Sequence, residues 1–546
     1  REQMASANMK RQKELERICQ ALENIKEKKP GTFHEAMQLF WLFALLAGVI
    51  NYGRLDDYLG PYLVADLESG RLTDEEAYRY IHSLWTMIEN RRTTVNGRII
   101  VGGKGRKHPK EADVFLHIAM KVAKNCRYVE PQFTLRFDKD TSEEIWDEAL
   151  DALGAGATYP TLYNDDVNVP AVMYGMRVDE KTAEQYVPFG CTEFVIQGQS
   201  TGTPNICINL LKLLTIYMND GIDPIDGKRK SGPVPLKKLE EYQTFEEFYD
   251  GYKALLDYYL DLSVKAQYHS YEVMNQHVSF LFTSLLTDDC IARGKALLDG
   301  GVRYLGGTNE TYGNINTSDS LWVIRDLVFN QKKYTLRQLN DAMLANFNGY
   351  EALRKDCLNC DKYGNDLETA DTMANDLYEF VAKGVRNRGI AIGMQYFLIV
   401  ISNNQLNTEW GNRTAASPDG RLSCMYMNPA NNPQGGANKS GPTAMLNSLA
   451  KFDAKYHGGS VQNIKFSPSM FNENRAVIKS LFKTYFAKGG CHLMVTVVDK
   501  GVLEDAVEHP ENYPDLIVRV SGFSAVFVDL SPNIQQELLS RVLYDE

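Results

Sequence analysis

The stretch Asp515-Leu-Ile-Val-Arg-Val-Ser-Gly-Phe-Ser-Ala-Val-Phe-Val-Asp-Leu530 decides how the remainder of the sequence is read. It is a run of β-branched and aromatic residues that breaks at Ser521-Gly522 and then resumes. Such residues suit a pleated strand, whereas a glycine inside one weakens it and usually marks a bulge or the close approach of another backbone. Glycine also permits one chemical role. With no side chain, its Cα can lose a hydrogen atom and leave a flat, uncrowded radical delocalised over both adjoining amides.

Working outward, a second stretch has a composition that packing alone explains poorly: Pro188-Phe-Gly-Cys-Thr-Glu-Phe-Val-Ile-Gln-Gly-Gln-Ser-Thr-Gly-Thr-Pro204. In an extended conformation residues two apart point to the same side, so the Cys191 thiol and the Glu193 carboxylate would face one cavity. The plain alternative is an inert buried thiol beside a solvated acid.

The chain has 546 residues, 59 Lys+Arg against 70 Asp+Glu for a formal charge of −11, and 44% hydrophobic residues. Those proportions exclude disorder, collagen and coiled coil as global answers. The longest apolar run, Leu39 to Ile50, is shorter than the roughly 20 residues of a membrane span, so a soluble protein is expected. No basic tract exceeds Lys104-Gly-Arg106-Lys107, which argues against nucleic acid as the main partner. The sequence begins at Arg1 with a polar helical stretch, Met4 to Lys29, has no signal pattern, and reads as a piece whose true N-terminus is missing. Nine cysteines, an odd and scattered set, are expected as free thiols in a reducing cytoplasm.

Helical periodicity covers Phe33 to Ile50, and a Thr73 cap opens a helix from Asp74 through Met87. Apolar runs at 97–101, 132–136 and 494–498 read as strands, so the class is mixed α/β. Gly221 to Lys238 reads as a surface excursion inside one domain. The Asn403–Pro442 zone is too long for an idle connection and is expected to carry function or cap a buried site.

Several motifs invite a function and fail on context. Gly198-Gln-Ser-Thr-Gly202 has the form of a nucleophile elbow, but that turn needs a helix directly after it and Thr203-Pro204 follows. Gly102-Gly-Lys-Gly105 reads better as a turn after a strand than as a phosphate cradle. Cys357 and Cys360 form a C-x-x-C with no second pair or nearby histidine to complete a zinc or redox site. No metal is expected in this chain.

Taken together, Arg519-Val-Ser-Gly522-Phe-Ser-Ala, with Phe527, Leu530, Gln535-Gln536 and Arg541 beyond, resembles the radical loop of the pyruvate formate-lyase-like glycyl radical enzymes. Gly190-Cys191-Thr192-Glu193 resembles their catalytic cysteine loop. Phe33 to Trp41, Asn51 to Asp56, Tyr163-Asn-Asp-Asp166, Asp319-Ser-Leu321, Ala416 to Arg421, Gly441 to Ala444 and Pro510 to Tyr513 agree in order, so the resemblance covers the chain from about residue 30 onward. It implies a ten-stranded α/β barrel of two half-barrels surrounded by helices, the cysteine and glycine loops meeting inside. Residues 1–400 would form the barrel domain, truncated at its front, and residues 401–546 a radical domain integrated in the same barrel.

The implied chemistry begins with a radical S-adenosylmethionine activating enzyme, itself carrying the iron–sulfur cluster, that removes hydrogen from Gly522. The radical passes to Cys191 as a thiyl, which takes hydrogen from a substrate carbon, and Glu193 serves as the base that helps an adjacent group leave. Arg519, Ser521 and Phe523 would support the radical loop, and Asn205, Glu310 and His492 would line the substrate pocket.

The single cysteine disfavours pyruvate formate-lyase itself, and Glu193 disfavours the arylalkane-succinate synthases. What remains resembles eliminating enzymes acting on diols, choline, isethionate or hydroxyproline, and arylacetate decarboxylases. Asn205 stands where diol dehydratases carry an Asp, and Asn cannot deliver a proton. Glu310, in a segment read as a loop, is open between a second pocket carboxylate, as in a decarboxylase, and a solvated acid. Cleavage of a C–O, C–N or C–S bond is the first expectation, with decarboxylation and a catalytically inactive assembly subunit as the alternatives. A homodimer in the cytoplasm of an anaerobic bacterium completes the expectation, with a separate chain or missing segment completing the barrel.

Overall fold

The computed structural model describes residues 8–92, 97–202, 205–401 and 405–545. Helix starts follow their caps. Thr73 accepts the N–H of Glu76 while Glu76 reaches back to the Thr73 N–H, a reciprocal cap that opens the helix Asp74–Asn90. Thr32 caps Phe33–Leu46, which stops short of the expected Ile50 because Gly48 turns the chain at φ +64°. The first helix is Met9–Ile25, and the Met4 end of its expected span lies outside the described residues.

The described residues form fourteen strands in chain order: β1 (Asn51–Arg54), β2 (Arg98–Gly102), β3 (Phe133–Phe137), β4 (Thr161–Asn164), β5 (Tyr186–Phe189), β6 (Glu193–Ile196), β7 (Ile206–Asn209), β8 (Gly306–Tyr312), β9 (Tyr396–Ile401), β10 (His457–Ser460), β11 (Asn463–Phe466), β12 (His492–Val497), β13 (Ile517–Arg519) and β14 (Ser524–Val526). The three strand readings from sequence correspond to β2, β3 and β12.

Ten of these strands build two sheets, one ordered β1-β2-β3-β4-β12-β11 and the other β10-β9-β8-β7. Strands β1 to β4 are parallel neighbours joined by helices such as Pro109–Asn125 and Glu143–Gly154, because a parallel pair needs a crossover and not a tight turn. β12 runs antiparallel beside β4, with Leu493 opposite Leu162. The four-stranded sheet is all parallel, its crossovers including the helices Phe245–His277 and Glu368–Ala391. Residues 461–462 alone separate β10 from β11, so the chain steps directly from one sheet to the other. Every residue of β2, β3, β4, β8 and β9 is buried, as strands covered on both faces must be.

This is a ten-strand α/β barrel with two antiparallel hairpins, β5/β6 and β13/β14, set inside it. Contacts from both sheets fix the first hairpin. Arg98 of β2 donates to the Gly190 carbonyl at 2.8 Å, and a Cβ at Gly459 of β10 would meet the Thr192 carbonyl at 2.3 Å, so only glycine permits that approach.

The two long irregular zones are held by buried charge. In the 221–238 excursion the fully buried Asp223 pairs with Lys212 at 2.8 Å and Lys230 at 2.6 Å. The described part of the 403–442 zone starts with two short helical turns. It then winds around the buried Arg421, which donates to the carbonyls of Ala415 and Gly411, so its backbone acceptors have partners without a ladder.

Candidate active site

Both decisive positions are hairpin tips. β5 pairs with β6 so that Phe189 lies opposite Glu193, leaving Gly190-Cys191-Thr192 as the turn, with Gly190 at φ +51°. β13 pairs with β14 so that Arg519 lies opposite Ser524, and the turn closes with the Val520 N–H on the Phe523 carbonyl at 3.0 Å.

The two tips touch. A methyl group placed on Gly522 would lie 2.4 Å from both Cα and Cβ of Cys191 and 2.7 Å from its Sγ. Given a carbon–carbon bond of about 1.5 Å, the Gly522 Cα and the Cys191 sulfur are within about 4.2 Å of each other. Cys191 is buried, and burial together with the Glu193 and Glu310 carboxylates pushes its thiol well above the ordinary range. The sulfur therefore holds its hydrogen.

Glu193 is also buried, but the extended-strand reading of its relation to Cys191 needs correction. Cys191 lies in the turn, and the Glu193 side chain folds back across it, its Oε2 accepting the Thr192 N–H at 2.9 Å. A side chain at Gly190 would collide with this carboxylate at 2.7 Å. Burial first, and the Glu310 carboxylate second, lift Glu193 to about 7, against the donors from Thr192 and Asn205.

The segment around Glu310, read from sequence as a loop, is strand β8, and Glu310 is buried opposite Cys207 of β7. Asn205 joins the two acids: its Nδ2 donates to Glu193 Oε1 at 2.9 Å and to Glu310 Oε1 at 2.7 Å, while its Oδ1 accepts from the Thr308 hydroxyl at 2.5 Å. Tyr312 donates to Glu310 at 2.5 Å, and the Cys207 thiol bonds to the same carboxylate. Cys207, Thr308 and Tyr312 had no mark in the sequence beyond strand alternation from Asn205 and Glu310.

His492 starts β12, lies edge-on to Tyr163 with ring centroids 4.6 Å apart, and accepts the Gln462 N–H at 3.3 Å. Burial first, then Arg519 and Arg98, hold it well below its ordinary range, so it is neutral. Among the described residues no hydrogen bond joins it to the Glu193–Asn205–Glu310 group. Arg519 packs over the Tyr159 ring and donates to Ser524; Phe523 is buried, with Val518, Val520 and Phe527, in the cluster behind the radical hairpin; Ser521 is fully buried.

The hairpins are anchored by other buried polar groups. Arg136 and Asp165, both fully buried, pair at 2.8 Å, and each holds Tyr186 at the start of β5: the Tyr186 hydroxyl donates to Asp165, and Arg136 donates to the Tyr186 carbonyl. Arg541 donates to the Val520 carbonyl beside the glycine tip and pairs with Glu537 at 2.7 Å.

The remaining motifs have structural roles. Ser200 accepts the Ile196 N–H at 2.8 Å within a turn between β6 and β7; Thr203-Pro204 lies outside the described residues. In the 102–105 turn the Gly102 and Lys104 N–H groups already donate to Asp56 and Asp165, so carboxylates occupy the place of a phosphate. Cys357 is buried in the helix Glu351–Asn359, and Cys360 bonds to the Asp356 carbonyl at its end. Among the described residues one group has metal-ligating composition, His117, Glu144 and Glu148 on two outer helices. No described helix is long and apolar enough to cross a membrane.

A glycine and a buried thiol held tip to tip inside an α/β barrel is the arrangement expected of a glycyl radical enzyme. A family described as pyruvate formate lyase-like matches residues 1–406, and one described as glycine radical matches residues 427–528. The chain belongs to the pyruvate formate lyase-like family of glycyl radical enzymes. It is 28% identical to trans-4-hydroxy-L-proline dehydratase of Clostridioides difficile over 97% of this chain and 70% of that protein. It is 26% identical to the glycyl radical subunit of 4-hydroxyphenylacetate decarboxylase of Clostridioides difficile strain CD196, over 98% of this chain and 66% of the relative. The glycerol-bound structure of the B12-independent glycerol dehydratase from Clostridium butyricum superposes with a TM-score of 0.92 at 28% identity, covering 100% of this chain and 71% of the other.

Proposed function

We propose that this chain is a glycyl radical lyase that cleaves a C–O, C–N or C–S bond next to the hydroxyl-bearing carbon of a small polar substrate. A radical S-adenosylmethionine activating enzyme with its own iron–sulfur cluster takes hydrogen from the Gly522 Cα. The Gly522 radical then takes the Cys191 thiol hydrogen, and the resulting thiyl takes hydrogen from the substrate carbon. Glu193 accepts the substrate's hydroxyl proton, a carbonyl forms, and the bond to the neighbouring group breaks with its electron pair on the leaving group. The product radical recovers hydrogen from Cys191, which restores the thiyl.

The observation that carries this reading is the contact of Gly522 with the Cys191 sulfur, with the Glu193 carboxylate folded across the same turn. Asn205, Glu310 and His492 are assigned to substrate binding, and Arg519, Ser521 and Phe523 to support of the radical loop. Residues 1–400 are taken as the barrel part and 401–546 as the radical part, in a cytoplasmic homodimer. Decarboxylation is the second reading, favoured by the buried Glu310 joined to Glu193 through Asn205.

The test is anaerobic activation of the full chain by a cognate activating enzyme, followed by electron paramagnetic resonance. A doublet from a single Cα hydrogen that is absent in Gly522→Ala is expected. No doublet, with an activating enzyme proven on another substrate protein, overturns the proposal. Release of carbon dioxide from an arylacetate by the activated enzyme would replace elimination with the second reading.

A further inference from the structure

Arg98 and Arg519 are two fully buried cations linked across adjoining strands of one sheet: Arg98 bonds to Thr134, whose hydroxyl is 2.9 Å from that of Thr161, two residues before Tyr163, and Tyr163 lies edge-on to His492, two residues before Met494, the partner of Arg519. Arg98 donates to Thr134, Gln132 and the Gly190 carbonyl; Arg519 donates to Ser524 and to the Met494 sulfur. None of these partners is an anion, and neither guanidinium enters an ion pair among the described residues. A buried charge without a partner is strongly disfavoured, and two like charges side by side more so.

Four polar atoms in this group are buried and unpartnered: Arg98 Nε, Arg519 Nη2, Tyr163 Oη and His492 Nε2. Three of them carry hydrogen necessarily or by preference. The fourth does so because His492 is neutral and its Nδ1 accepts the Gln462 N–H, which leaves the ring proton on Nε2. All four are therefore donors. A single water has only two lone pairs for the four donors, and no number of waters supplies the charge that the two cations lack. Among the described residues neither Glu130 nor Glu193 forms an ion pair with either guanidinium, and the Glu193 oxygens are already taken by Thr192 and Asn205.

We propose that Arg98, Arg519, Tyr163 and His492 form a buried receptor for a small monoanion of the carboxylate class beside the Cys191–Gly522 contact. Planar guanidinium groups match a carboxylate's two oxygens, and the tyrosine and histidine donors would fill its remaining lone pairs. Because Arg98 also holds the Gly190 carbonyl and Arg519 precedes the glycine tip by three residues, the anion would tie the two hairpins to each other electrostatically.

The experiment uses the full chain, unactivated and anaerobic, in chloride-free and carboxylate-free buffer at constant ionic strength set with the bulky sulfonate sodium HEPES. Sodium formate and sodium L-lactate are titrated, with formamide as the neutral control, and Tm and calorimetric heat are followed. Saturable stabilisation by formate or lactate and none by formamide is expected, weakened at least tenfold in Tyr163→Phe and lost in Arg98→Met. Should Arg98→Met fail to fold, Tyr163→Phe carries the comparison. Formate binding as tightly as lactate marks a free ion; lactate binding tighter marks the anionic end of a larger molecule, the substrate. Tm unmoved by both salts relative to the HEPES baseline, or the same affinities in the variants, overturns the proposal.

Discussion

Gly522 and Cys191 are so close that a single methyl group on the glycine would lie 2.4 Å from the cysteine Cα and Cβ. The contact brings together residues 331 positions apart in the chain, since 522 − 191 = 331. It makes the glycine necessary twice over, once for space and once for a Cα hydrogen that can leave without a side chain crowding the radical. Gly522→Ala is expected to give no radical doublet after activation. It is also expected to lower stability by roughly 1–3 kcal/mol, the usual cost of overpacking. Brief exposure of activated wild-type protein to air should cut the chain at residue 522, visible by intact mass. Cleavage of the alanine variant at the same place would show that the radical is elsewhere.

Glu193 ties activity and stability to pH in opposite ways. As a base it must be unprotonated, so turnover should rise with pH through about 7. For stability, its folded value near 7 stands above the ordinary 4.5, so the folded state keeps a proton that the unfolded chain has already released. That contribution is fully present below about 4.5 and is lost as pH rises to about 7. Glu193→Gln should lower turnover by about 10²–10⁴. Chemical denaturation across pH 5–8 should show that the variant loses less stability than wild type, by on the order of 1–3 kcal/mol. An unchanged pH slope would mean that another buried group sets it.

The sequence disclosed these two hairpin tips because their residue types make poor sense as packing: a glycine inside an apolar strand run, and a thiol and an acid in a glycine-flanked turn. It disclosed far less of what surrounds them. Glu310 lies 105 residues from Asn205, and its Gly-Gly-Thr-Asn-Glu context has the composition of a loop. Burial between β7 and β9 overrides that local preference. The link from Glu193 through Asn205 to Glu310 is a product of strand pairing, which no local spacing encodes. Arg98 carries no local signal for the same reason. A single arginine opening a short apolar run is indistinguishable from a solvated strand end until the sheet closes over it.

Asn205 donates to both carboxylates, so its substitution separates charge from geometry. Asn205→Asp keeps the shape, removes two N–H donors and adds a third acid between two others. Like charges disfavour ionisation, so the rising limb of the pH–rate profile should move up by about one unit or more, with a fall in kcat at pH 7. Asn205→Ala, which removes the donors without adding charge, should shift the limb less. If the two variants give the same limb, the position acts through packing and not through its electrostatic link.

Arg541 offers a handle on the hairpin itself. Its guanidinium holds the Val520 carbonyl, two residues before the glycine, and pairs with the buried Glu537 of the helix Pro532–Ser540, which Arg541 follows, while Gln535 of that helix holds the Phe527 carbonyl at 3.0 Å. The helix and the arginine after it thus clamp the chain just past the end of each hairpin strand. An activating enzyme must reach the Gly522 Cα, which is buried against Cys191, so the clamp must yield for the radical to form. Arg541→Met is expected to cost roughly 3–5 kcal/mol, because it strands a buried carboxylate, and Arg541→Lys less, because the charge remains while the forked geometry is lost. In both variants amide exchange over residues 517–526 should speed up, and the radical should appear faster on activation and decay faster afterwards. Faster exchange without faster radical formation would place the limiting step of activation elsewhere, in the activating enzyme and not in the opening of this hairpin.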